Sequence, residues 1–383
     1  MNLLSGVEQD YHRPQTSPGG YEWWHFDGTD DNSGLSFSAQ FYAGHLLSPY
    51  YQESLAAYWK ETRSPLVSKK APVPPNPLEY TGVIFRVFHK GDLIGEFLEE
   101  FDPGMLKASD HSPAALLGPN RFNWLPDGNP PSYTLTLQGP IKGGRQSLRA
   151  RLFFTPEKMD IPPLSPSEDW PTHTWVLAAP RCHVEGTLEW CDAEGDVKQE
   201  KTFVGKGYHD HHFGSVPPGQ FVKAWYWGRA FLGEETLIYS LQVPADEKES
   251  PWGLLVIAAK GQAQHWKVSY KLSQGRRNFF WLPYSKKLGF TDVHSLEVEH
   301  RQVLSDGPAS LTFEDKVSWQ GEGKAVRGTG LSQYLYLPRL GSRFFSPMMK
   351  GMTIKMAKPF INETPNVPPS GDVTTDRPDL PPK

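Results

Sequence analysis

From about residue 21 to residue 340 the chain repeats one pattern, in which short runs of alternating apolar and polar residues are each closed by a cluster of Gly, Pro, Asn or Asp. Two-residue alternation builds an apolar face and a polar face only on a strand, because a helix would scatter the same residues around its axis. The cleanest case, Leu35-Ser36-Phe37-Ser38-Ala39-Gln40-Phe41-Tyr42, puts Leu35, Phe37, Ala39 and Phe41 on one face. Ser38, Gln40 and Tyr42 fall on the other, which stays polar or lines a site. Further strands are expected over 80–88, 133–138, 148–154, 174–179, 183–190, 223–231, 236–243, 252–259, 265–272, 295–303, 311–319 and 331–337. The chain reads as all-β, mostly antiparallel sheet with few short helices.

At 383 residues, two domains are favoured over one. The Pro/Gly break at Ser215-Val216-Pro217-Pro218-Gly219 separates two runs of strands and places the domains at 1–216 and 217–364. From Pro365 the sequence is rich in Pro and Asp with almost no large apolar residue, so 365–383 is expected to be a disordered tail. The 36 Pro and 35 Gly follow no period and sit among 13 Trp, 15 Tyr and 21 Phe, which describes a loop-rich folded protein and excludes collagen. The loops 62–79, 102–132 and 156–171 are long enough to be lids, binding loops or docking segments.

A formal charge of −4 and the lack of a basic stripe speak against a nucleic-acid surface and for a small or apolar partner. No signal pattern opens the chain and no window approaches a membrane span, so a soluble cytoplasmic protein is expected. The segment Phe344 to Lys358 spaces Phe345, Met348, Met349, Met352 and Met356 as a helix would, with Lys350, Lys355 and Lys358 between them. It reads as a packed helix or, alternatively, as a peripheral membrane contact. Cys182 and Cys191 fall on one strand, roughly 30 Å apart at about 3.3 Å per residue, so no disulfide is expected between them.

Three constellations could carry chemistry. Gly207-Tyr208-His209-Asp210-His211-His212-Phe213-Gly214, if extended, sends Tyr208, Asp210 and His212 to one face and His209 and His211 to the other. A metal would need three convergent ligands, and no second motif supplies them unambiguously, so no metal is assigned, although a metal on the neighbouring His209 and His211 stays open. The remaining readings are a satisfied structural network and metal-free acid/base work, in which Asp210 in an apolar cavity has a raised pKa and Tyr208 orients it. His173-Thr174-Trp175 again sets two functional side chains at i and i+2. Tyr21-Glu22-Trp23-Trp24-His25-Phe26-Asp27 splits into Tyr21, Trp23, His25, Asp27 and Glu22, Trp24, Phe26. Trp23 and Trp24 either plug a barrel end or wall a ligand, and Asp27 and Glu22 are its notable polar groups. Trp225, Trp227 and Phe279-Phe280-Trp281 add aromatic surface suited to a conjugated or isoprenoid chain, or to interdomain packing. There is no P-loop, nicotinamide-type glycine fingerprint or nucleophile elbow.

Ser17-Pro18-Gly19-Gly20-Tyr21-Glu22-Trp23-Trp24, Ser48-Pro49-Tyr50-Tyr51 and Gly205-Lys206-Gly207-Tyr208-His209-Asp210 together resemble the carotenoid 1,2-hydratase (hydroxyneurosporene synthase) family over roughly residues 15 to 340. The resemblance implies two lipocalin-like (calycin-type) antiparallel β-barrel domains in tandem and cofactor-free addition of water to an isoprenoid double bond. It also implies that His173 with Trp175 and Tyr208 with Asp210 handle the proton. The continuation His211-His212-Phe213-Gly214 and the opening Trp-Trp-His-Phe-Asp-Gly are more similar to the lipocalin-like Diels-Alderases of the same superfamily. The expectation is a metal-free, cofactor-free enzyme that transforms a C=C bond of a long polyene or isoprenoid. Asp210 would be proton donor, Tyr208 its orienting partner, His173 helper base and Trp175 a cation-stabilising wall, with Trp23, Trp24, Tyr42, His212, Trp225 and Trp227 against the substrate. A pericyclase and a non-catalytic lipophile carrier are the alternatives.

Overall fold

The computed structural model describes residues 1–63, 72–141, 145–162, 170, 172–293, 295–321 and 324–355. The tail assigned to 365–383 lies outside the described residues, as do Met356 and Lys358 of the expected helix. Among the described residues the chain is mostly strand, gathered into two sheets. The first has 13 strands. Its centre is the antiparallel succession Leu35–Ala43, Tyr21–Asp30, Val197–Gly214, His173–Cys191 and Ser147–Pro156. The second has nine strands, from Gln262–Val268 through Val222–Leu232 and Lys324–Tyr336 to Tyr270–Arg277.

Each sheet curls because its alternation is one-sided. Phe26, Phe37, Phe41, Phe85, Phe97, Leu135, Leu152 and Phe154 point into the first curl, and Leu237, Tyr239, Leu255, Val298 and Phe313 into the second. Burying each such side chain is worth about 1.5–3 kcal/mol, which closes the sheet around the apolar face. Phe97 lies so close over Gly139 that a Cβ there would meet its ring at 2.6 Å, so glycine lets the far strands of the first curl approach. A third apolar cluster, with Trp170, Trp175, Trp225, Trp227 and Trp252, lies where the outer face of the first sheet meets the second. The register of Tyr21–Asp30 matches the expected split: Trp24 and Phe26 enter the first core while Trp23, His25 and Asp27 face the second sheet.

Several elements depart from expectation. The loop 102–132 contains the strands Leu106–Ala108, Ala114–Leu117 and Asn120–Leu125, too short for alternation to register. Asp92–Phe101 and Pro283–Phe290 are likewise strands. Pro49–Thr62 is a helix whose start is written locally: Ser48 accepts the Tyr51 amide at 3.2 Å and Pro49 occupies the first turn. The C-terminal helix is confined to Ser346–Met352, and the chain then returns to the first sheet, where Ile354–Lys355 pairs with Glu99 and Glu100. Part of the loop 156–171 docks on the second sheet, through Asp160 and the backbone of Gly261 and Ala263 (both 2.8 Å). Cys182 and Cys191 are free and buried. No helix among the described residues is long and apolar enough to cross a membrane.

The inner face of Val197–Gly214 carries an ionic network inside the first barrel. His209 Nε2 lies 2.7 Å from Asp10 Oδ2, which also accepts from Tyr133 Oη at 2.8 Å. His211 bridges Asp10 (3.3 Å) and Glu22 (2.9 Å) and stacks on Trp24. Burial opposes the His211 charge, but the two carboxylates outweigh it and lift its pKa from 6.5 to about 9. A raised pKa stabilises the fold fully below about 6.5, and that contribution disappears as pH climbs toward 9. Replacing His211 by Gln is therefore expected to lower stability at neutral pH and to abolish the alkaline slope, worth at most about 3 kcal/mol. Denaturant titrations of both proteins across this range test it; an unchanged slope in the variant assigns the alkaline loss elsewhere.

Candidate active site

The outer face of the same strand presents Tyr208, Asp210 and His212 to the second sheet. Neighbouring strands complete the constellation by register: Tyr208 lies opposite Asp27, Asp210 opposite His25, and His212 between Trp23 and Trp175. All are buried. One oxygen of Asp210 does most of the bonding. Its Oδ2 accepts from Tyr208 Oη (2.7 Å), Trp175 Nε1 (2.8 Å) and His212 Nε2 (3.0 Å), while Oδ1 has no hydrogen-bond partner among the described residues.

Behind His212 runs a chain of donors. Burial keeps the Tyr21 phenol protonated, so it donates to His173 Nδ1 at 2.8 Å. Burial also drives the His173 pKa well below its usual value, so the neutral ring carries its proton on Nε2, facing His212 Nδ1 at 3.2 Å. His212 then offers Nε2–H to Asp210, and its own pKa is lowered by burial despite the Asp210 charge. For Asp210, burial acts to raise the pKa, but His212, His25 and the Tyr208 bond together hold it below the ordinary carboxylate value. This corrects the raised pKa expected for Asp210: burial alone would raise it, and the donors on Oδ2 reverse the sign.

Beside Asp210 lies a second network. Arg229 donates through Nε (2.7 Å) and Nη2 to Asp27 Oδ1, with both side chains fully buried. His25 Nε2 lies 3.0 Å from Asp27 Oδ2, and Gln40 joins His25 Nδ1 (3.1 Å) to Gln333 of the second sheet (2.9 Å). The first sheet thus meets the second through polar groups as well as indoles.

Between the sheets opens a cleft of about 680 Å³, counted to its mouth. It is a narrow slot. Asp210, His212, Trp23, Tyr42, Trp225 and Trp227 line it together with His25, Gln40 and Arg86. Trp23 stacks on His212 at 4.6 Å between centroids, and Trp175 on its other side at 5.5 Å. His173, Trp175 and Tyr208 stand one layer behind, bonded to the lining residues or to each other's partners. Trp24 is placed elsewhere, on the opposite face in the barrel core against Phe122 and His211. Phe279 and Trp281 are exposed and do not border the cleft. His25, Gln40, Gln333 and Arg229 join the site beyond the residues expected from sequence, and of these only Arg229 follows by extending the two-residue period from Trp225 and Trp227. Among the described residues no three His, Cys, Asp or Glu side chains are arranged to hold a metal ion.

No family model matches the chain. A hydroxyneurosporene dehydrogenase of Chlorobaculum tepidum is 30% identical over 355 residues, covering 90% of this chain and 89% of its own. An acyclic carotenoid 1,2-hydratase of Thiocapsa roseopersicina is 26% identical over 218 residues, 56% of this chain and 45% of its own. Among solved structures, an AttH candidate from Nitrosomonas europaea superposes with a TM-score of 0.55 at 14% identity, over 86% of this chain and 95% of its own. CghA superposes at 0.51 with 12% identity, over 85% and 93%. These likenesses identify the two curled sheets as lipocalin-like barrels in tandem.

The Asp27–Arg229 pair yields a direct expectation. Truncating Arg229 to Met leaves a buried, unpaired carboxylate and should cost about 3–5 kcal/mol, whereas Asp27→Leu with Arg229→Met should recover much of that loss. A denaturation double-mutant cycle measures it; strictly additive losses would mean the pair is not coupled.

Proposed function

The chain belongs to the family of the Chlorobaculum tepidum hydroxyneurosporene dehydrogenase and the carotenoid 1,2-hydratases, and from that premise we propose that it is an enzyme adding water across a C=C bond of a long unsaturated lipophile. The observation that carries this reading is the asymmetry of Asp210, anchored through Oδ2 by three donors with Oδ1 unpaired in an aromatic slot. An alkene is an extremely weak base, so it is protonated best by an acid whose conjugate base is already stabilised. The donors on Oδ2 supply that stabilisation before the proton leaves.

The cycle balances without an added reagent. Protonated Asp210 hands its proton from Oδ1 to one alkene carbon, and the adjacent carbon becomes a cation facing the indoles of Trp23, Trp225 and Trp227. Water forms the C–O bond and returns a proton to the Asp210 carboxylate, so acid and base are the same group. In the free protein Asp210 is ionised. A lipophile filling the slot replaces its polar contents with hydrocarbon beside Asp210, which raises the carboxyl's pKa and favours the protonated form in the complex. His212 and His173 stay neutral and hold the carboxylate in place. Pericyclic cyclisation is a second reading, favoured by the anionic resting state of Asp210, since positioning in a narrow slot needs no proton transfer.

Incubation of the full chain in heavy water with acyclic polyenes separates the two. Hydration gives a product heavier by water with one deuterium on carbon, and Asp210→Asn should lose about 10²–10⁴-fold in rate while retaining ligand. An isobaric product free of deuterium would replace hydration by cyclisation, and unchanged ligand would replace both by carriage. The pH dependence carries a sign: kcat/KM should decline with rising pH from a lower apparent pKa than kcat, because the bound lipophile adds to the burial already acting on the carboxyl. Coincident profiles would remove Asp210 desolvation from the mechanism.

A further inference from the structure

The loop from Asn278 to Leu282 holds Phe279 and Trp281 in solvent, 83% and 69% exposed, and Phe344 is exposed at 84%. One side chain ties this loop to Phe345, the neighbour of Phe344. The Arg339 guanidinium donates to the carbonyls of Phe280 (2.6 Å), Trp281 (2.9 Å) and Pro308 (3.3 Å) and lies 4.8 Å from the centre of the Phe345 ring. Asn278 completes the clamp, donating to the Gly307 carbonyl (2.8 Å) and to Asp306 Oδ1 (2.5 Å) and accepting the Leu282 amide (2.7 Å). The tip is built and held. Trp281 sits at φ 58°, a left-handed conformation unfavourable for any residue with a side chain. Strain of this kind, kept at a solvent-facing indole, points to a use for that indole.

The surroundings specify the partner's charge. Arg276 and Arg277 precede the loop and are exposed, Arg277 lies 5.7 Å from the Trp281 ring centre, and exposed Arg343 adjoins Phe344. Indole and phenyl rings ringed by guanidinium groups match the boundary of a bilayer, where rings enter the acyl edge and cations meet phosphate. We propose that Phe279, Trp281 and Phe344, with Arg276, Arg277 and Arg343 around them, dock this protein on an anionic phospholipid surface. The peripheral membrane contact expected for Phe344 to Lys358 is thus drawn at its first residue, Phe344, together with the 278–282 loop. Pro308 and Gly307, on which the clamp rests, lead directly to Ser310, Leu311 and Thr312 in the wall of the cleft. Docking here brings the cleft's rim to the phase in which a polyene dissolves; that consequence rests on the proposed function, while docking does not.

The test is co-sedimentation of the full chain with vesicles of phosphatidylcholine alone or with about 30 mol% phosphatidylglycerol, free of any substrate. Binding should favour the anionic vesicles by tenfold or more and weaken with added salt. Phe279→Ser with Trp281→Ser and Phe344→Ser should lose tenfold or more, and Arg276→Glu with Arg277→Glu should remove the preference for anionic lipid. Matching thermal melts establish that these surface variants remain folded. Wild-type protein that ignores both vesicles, or a triple serine variant that binds as wild type, overturns the proposal. Self-association lost in the triple variant without vesicle binding would assign the patch to a second copy of the chain. Because no substrate is present, failure here leaves the hydratase reading standing, and failure of hydration leaves docking standing.

Discussion

The buried ion pair of Arg229 with Asp27 decides how the two barrels face each other. A guanidinium and a carboxylate this far from water each carry a desolvation cost of several kcal/mol, offset only when the geometry is held. The second sheet must therefore present Arg229 at one place, and Trp225 and Trp227, four and two residues earlier on the same strand, are carried into the opposite wall of the cleft. Gln40 with Gln333 extends the same polar seam. The slot exists because two apolar faces are joined at polar points that a featureless interface would lack.

Asp210 depends on that arrangement from the other side. Its three donors come from two strands, Trp175 from one and Tyr208 and His212 from its neighbour, so the carboxylate is set by β pairing and no loop is needed to aim it. The neutral chain of Tyr21, His173 and His212 fixes each ring's tautomer by the bond its other nitrogen makes. Preorganisation of this type is assembled when the sheet forms and requires no rearrangement at the moment of reaction.

Much of this was legible in the sequence because a period of two is unambiguous where it persists. The faces of 21–27 and 208–212 follow from counting alone, and with them the grouping of Tyr208, Asp210 and His212. Long-range pairing was not legible. Nothing local to Asp210 announces that Trp175, 35 positions away, will donate to it, so burial alone suggested a raised pKa where hydrogen bonds impose a lowered one. Trp24 misled because tandem tryptophans sit on opposite faces by construction, and only one can reach a given cleft. The helix at Pro49–Thr62 is amphipathic only weakly, and its readable mark is the start signal of Ser48 with Pro49. Strands of three or four residues between 106 and 117 carry too few positions for any period to show.

The strand Val197–Gly214 is polar on both faces near its C-terminal end, and this bears on how its alignment is specified. In most strands a slip of one residue is prevented because it would expose the apolar face. Here the slip would exchange Tyr208, Asp210 and His212 for His209 and His211, polar for polar, and hydrophobicity would barely object. Charge supplies the missing discrimination: Asp10 and Glu22 inside the barrel accept His211 and would repel Asp210 in its place. The ionic cluster inside the barrel acts as an address label for the strand, and the chemistry on the far side inherits its alignment from contacts that take no part in it.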